Sequence, residues 1–165
     1  MARIKILLIF FTTAIITIGF IGCSQAKLPP CVPKSSHGII IRWGEINSKN
    51  NYETFYELTD NCKVKLGIKQ GNKDDTTFQS LNKISIEKYC DLYRMIQNAI
   101  TKTQALNSPG EISNFVEYID KSNGVYFRAL WNREYTNAGN KQFRAVFDSL
   151  QATISGSIGF IQENE

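Results

Sequence analysis

Glu53 and Glu57 stand in a run of alternating residues, Tyr52-Glu53-Thr54-Phe55-Tyr56-Glu57-Leu58, which would put both carboxylates on one face of a strand. Carboxylates held near one another are the groups a small hydrolase uses for general acid and base work. Trp43, Tyr56 and Trp131 also fall in strand-like runs. Exposed, such aromatics stack on sugars or anchor a protein partner; buried, they are core. Other chemistry is poorly provided for. His37 is the only histidine and has no acid neighbour in sequence, so it reads as a surface residue. Asp74 and Asp75, even taken with Asp60 and Glu45, lack the regular oxygen-ligand spacing of a calcium loop, and there is no Cys/His cluster, so no metal is expected. No serine lies in a Gly-x-Ser-x-Gly or Ser-x-x-Lys context. Gly156 and Gly159 follow a helix-like run rather than a strand, which removes a phosphate loop and with it a nucleotide cofactor.

The remaining chemistry is that of cysteine. The chain starts Met1-Ala2-Arg3-Ile4-Lys5, runs from Ile6 to Gly22 without a charge, and closes on Gly19-Phe20-Ile21-Gly22-Cys23. A positive start, an apolar stretch and a small residue make a secretory signal, and 17 residues lie at the lower edge of what spans a bilayer. Residues 19–23 resemble a bacterial lipobox, with Phe20 where leucine is usual. That resemblance implies a diacylglyceryl group on the Cys23 thiol and cleavage before Cys23. Two other readings are cleavage after Ala26, within a small-x-small pattern, and an uncleaved helix, which no positive cluster after Gly22 supports. Lipid on Cys23 would keep the protein on its membrane, since each buried methylene contributes about 0.8 kcal/mol and two or three chains are attached. Ser24 stands where aspartate would favour inner-membrane retention. The outer membrane is therefore expected where the organism has one, and otherwise the outer face of the cytoplasmic membrane.

Without residues 1–22 the chain keeps 143 of its 165 residues, enough for one domain with a core. Losing Arg3 and Lys5 leaves 17 basic against 15 acidic residues, a net +2 that offers no basic stripe for nucleic acid. Cys31, Cys62 and Cys90 remain, and an oxidising envelope allows one bridge among them. Cys90 lies on the apolar stripe of a predicted helix, where a buried thiol is the simplest state. Cys31 and Cys62 are then the available pair, although spacing does not decide it.

Residues 23–37, with Pro29, Pro30 and Pro33, read as an extended tether, and residues 38–165 as a single domain. Ile39-Ile40-Ile41 through Trp43 predicts a strand. Residues 52–58 and 64–68 predict a hairpin turning at Asp60-Asn61, and residues 78–84 a short strand or irregular segment. Ser85 caps a helix carrying Ile86, Tyr89, Cys90, Tyr93, Ile96 and Ile100, which should end before Asn107-Ser108-Pro109-Gly110. Residues 112–119 and 125–131 flank Asn123-Gly124, a second hairpin, and Phe143, Val146, Phe147, Leu150 and Ile154 mark a second helix entered through residues 137–140. The order predicts an α+β fold, an antiparallel sheet of hairpins with two amphipathic helices packed on one face.

Tyr56-Glu57-Leu58-Thr59-Asp60-Asn61, the helix after it, Pro109-Gly110, Phe115-Val116, the Asn123-Gly124 turn, Trp131 and the terminal helix together resemble small uncharacterised bacterial lipoproteins over about residues 38–155. Many of these have a glycine-rich segment where this chain has residues 44–51. The order of elements is also similar to that of emfourin-type metalloprotease inhibitors, an architectural likeness that carries over no inhibitory residue. The expectation is a membrane-anchored, non-catalytic domain that binds a protein or an envelope polymer, a protease inhibitor being one version. The alternative is a small envelope hydrolase working through Glu53 and Glu57.

Overall fold

The computed structural model describes residues 28–71, 76–103 and 106–158. The signal segment, Cys23 and the Asp74-Asp75 pair lie outside the described residues. Seven strands form one sheet: β1 Ile39–Asn47, β2 Tyr52–Thr59, β3 Lys63–Gln70, β4 Thr76–Lys83, β5 Leu106–Ser108, β6 Ile112–Asp120 and β7 Val125–Asn132. Among the described residues two helices, α1 Ile86–Lys102 and α2 Lys141–Ile158, complete an α+β architecture. The spatial order is β4-β3-β2-β1-β6-β7-β5, antiparallel throughout except where the short β5 runs parallel to β7.

Strand parity decides which residues meet the helices. In β1, Ile39, Ile41 and Trp43 share a face and are fully buried; their partners across the ladder, Leu58 in β2 and Tyr118 and Val116 in β6, extend the same layer. Onto it α1 presses Tyr89, Leu92, Tyr93 and Ile96, and α2 presses Phe143, Val146, Leu150 and Ile154. Among the described residues, no helix is long and apolar enough to cross a membrane. Ser85 caps α1 as its sequence predicts, its hydroxyl accepting from the Lys88 amide at 3.1 Å.

Three expectations are corrected. The bridge joins Cys31 to Cys90 (Cα–Cα 5.6 Å), and Cys62 is the buried free thiol. A proline turn closed by Val32 N–H to the Pro29 carbonyl sets Cys31 against the start of α1, while Cys62 occupies the positive-φ position (φ 63°) that ends the β2–β3 turn. In the same turn Asn61 accepts hydrogen bonds through its side chain from Thr59 and the Lys63 amide. Residues 28–37 are also no extended tether. Val32 and Ser36 are buried, and a second turn links Ser36 N–H to the Pro33 carbonyl. Finally, Trp43 and Trp131 are core rather than binding aromatics, and Tyr56 is half-buried with its ring stacked on Trp43 at 5.5 Å.

Candidate functional site

The helices leave the opposite sheet face open, and there the register arranges side chains in ranks across the strands, three of which form the site, with Tyr126 in the next rank beyond the first. The first rank reads Ser80, Lys65, Glu57, Arg42, Glu117, Arg128 from β4 to β7, with charges alternating in sign. The second reads Phe78, Gly67, Phe55, Gly44, Phe115, Leu130, rings alternating with glycines. The third runs Thr76, Lys69, Glu53, Ile46, Ser113, Asn132.

The glycines are required for two different reasons. A Cβ on Gly67 would lie 2.6 Å from Phe55 Cε2, so the Phe55 ring can lie down across the sheet only because Gly67 lacks a side chain; a Cβ on Gly44 would run into the neighbouring strand's backbone, at the Thr54 carbonyl oxygen and Phe55 Cα. Phe78 meets Phe55 edge to face at 5.9 Å, and the Arg42 guanidinium covers the Phe55 ring at 5.3 Å. The result is a concavity of about 600 Å³ lined by Phe55 and Phe78 below and by Arg42, Glu53, Lys69, Thr76, Glu117 and Arg128 around them.

Its charges are coupled. Arg42 donates twice to Glu57 Oε2, from Nε and Nη2, each at 3.0 Å, and lies 3.9 Å from Glu117. Arg128, stacked over Phe115 at 4.8 Å, lies 3.4 Å from Glu117 and reaches back over two strands to within 3.7 Å of Glu53. Neither Arg128 Nε nor Nη2 has a hydrogen-bond partner among the described residues, so those contacts are electrostatic. Tyr126 donates its phenol to Glu117 Oε1 at 2.8 Å. Partial burial pushes the Glu53 carboxyl above the usual carboxylate range, with the nearby Arg128 opposing the rise and Glu117 adding to it.

Glu53 and Glu57 do share this face, but one full rank separates them, about 13 Å along the strand. Glu57 is buried and committed to Arg42, so the two are not brought together as an acid–base pair. His37 is exposed, and it is its backbone N–H and carbonyl that bond to the Ser122 hydroxyl. Asp60 accepts from the Gly38 and Ile39 amides, and Glu45 pairs with Arg133 at 2.6 Å. Among the described residues no group of acids, histidines and cysteines could hold a metal. Arg42, Glu117, Arg128 and Phe78 were not legible as site residues from the sequence. Each obeys the alternation of its own strand, but only the pairing of β1 with β6 and β2 aligns them. No protein-family model matches the chain, and no curated protein matches it.

Proposed function

We propose that the protein is a bacterial envelope lipoprotein, held on its membrane by lipid on Cys23, whose single domain is a non-catalytic binding module. The observation that carries the binding reading is the open-face concavity, where an aromatic floor lies between a rank of alternating charges and a polar rank. Ring faces stack on sugar rings or apolar side chains, and fixed guanidinium and carboxylate groups select a ligand carrying both hydrogen-bonding and ionic groups. An envelope polymer of glycan and peptide character suits that combination best; a protein segment is the other ligand class it supports. The lipid-anchor reading rests on residues 19–23.

The test is co-sedimentation of the detergent-solubilised lipoprotein with insoluble cell-wall polymer. Arg128→Ala should reduce the bound fraction about tenfold while circular dichroism stays unchanged, a loss in keeping with about 1.5–3 kcal/mol for hydrogen bonds to a charged group. Equal binding by wild type and variant would remove the concavity from the reading. Crosslinking in intact envelopes distinguishes a protein ligand. The raised carboxyl of Glu53 is the one observation favouring a hydrolase, and release of soluble fragments by wild type but not by Glu53→Gln would establish it.

A further inference from the structure

We infer that the end of the domain from which the chain leaves toward Cys23 is a second binding surface, one that docks on the anionic bilayer carrying the anchor; the inference rests on the lipid-anchor reading above. An apolar groove opens at this end, lined by Leu28, Pro29, Pro30, Val32, Lys34 and Ile86. Ile86, in the first turn of α1, is 46% exposed and continues the apolar lining of the groove. Residues 28–36 form one wall and cannot drift away: the Cys31–Cys90 bridge fixes them to α1, two turns brace them, and Val32 is buried.

Chain length then sets the distance. Five residue steps separate Cys23 from Leu28, a covalent reach of about 17 Å at full extension. A lipid on Cys23 therefore keeps the groove within about 17 Å of the headgroup region, close enough to dock on it.

Charge favours the same surface. The sheet register brings to this end the starts of β1, β3 and β7, the ends of β2, β4 and β6, and the start of α1. Exposed there are Lys34, Lys63, Lys83, Lys88 and Lys121, none of them in an ion pair with another described residue. Acidic groups of this end are Glu87, which is exposed, and Asp60 and Asp120, whose carboxylates are turned onto backbone amides. At the opposite end Lys49 and Arg133 are paired, with Glu111 and Glu45, and Lys102 and Lys141 are exposed near the exposed Glu134. A cluster of lysines beside an apolar groove is complementary to an anionic bilayer surface.

The test uses the full lipoprotein reconstituted into phosphatidylethanolamine vesicles with and without phosphatidylglycerol, carrying a tryptophan reporter at Ile86→Trp, or at Leu28→Trp should the first misfold. Tyr135→Trp, at the far end and 64% exposed, is the reference. With phosphatidylglycerol present, acrylamide should quench the position-86 tryptophan several-fold less than the position-135 one, and brominated lipid should quench only the former. Equal acrylamide quenching of both reporters, in protein that floats with the vesicles after a salt wash, overturns the docking surface and leaves the anchor standing. Wild-type protein that fails to float overturns the anchor and the docking surface together.

Discussion

Asp120 shows how one buried carboxylate is made useful. Burial alone would raise its pKa, yet hydrogen bonds from Asn123, Ser36 and Ser122 outweigh that and hold the carboxyl at about 2, against an ordinary 3.8. It thereby ties the β6–β7 turn to residues 36–37. Because the folded value is depressed, the group stabilises the fold above about pH 4, and that contribution is lost as pH falls through about 2. Asp120→Asn should cost about 2 kcal/mol at neutral pH in urea unfolding, a gap that closes toward pH 2. Gly67 is the second informative residue. Gly67→Ala must displace the Phe55 ring, so about 1–3 kcal/mol should be lost, and polymer binding should fall with it if the aromatic floor is part of the site.

Among the elements, the segment before β1 departs most from expectation. Its three prolines are compatible with an extended chain and equally with two successive turns, and composition does not choose between them. The choice is made by Val32 finding the core and by Cys31 finding Cys90. The bridge closes a loop of 59 residues, for which the chain-entropy model gives about 4 kcal/mol. Reduction, or replacement of Cys31 and Cys90 by serine, should lower the unfolding free energy by about that amount. Cys62→Ser, removing the buried free thiol, should leave the bridge intact by mass analysis. The helix and hairpin elements were largely readable in advance, since Ser85, the three- and four-residue apolar spacing of α1, and Asn123-Gly124 each act locally. The three-residue β5 was not, because it exists only by pairing with β7.

For the whole molecule, the core and the proposed recognition surface lie on the two sides of one sheet. Trp43 and Trp131 stabilise the helix-covered side, where Trp43 also donates to Gln151 at 3.2 Å. Trp43→Ala should cost about 3–5 kcal/mol and shift the urea midpoint accordingly. A loss below about 1 kcal/mol would mean that this side is not the principal core. The open side carries the charged ranks, and the end bearing Leu28 and Ile86 is the one proposed to face the anchor. The core and the two proposed binding surfaces therefore occupy separate parts of the domain.

The sequence alone determined what is written locally: strand parity, helix period, the cap, the second hairpin turn and an α+β class. It also placed Glu53 and Glu57 on a common face. Tertiary structure decided what depends on partners distant in the chain: which face the helices cover, and so that Trp43 and Trp131 are core; which cysteine meets Cys31; and that Arg42, Glu117 and Arg128 align into one rank. Alternation tells which residues share a face of their own strand, but not which strand lies beside it. The concavity is made by strands far apart in sequence, through a register fixed by burial of the opposite face.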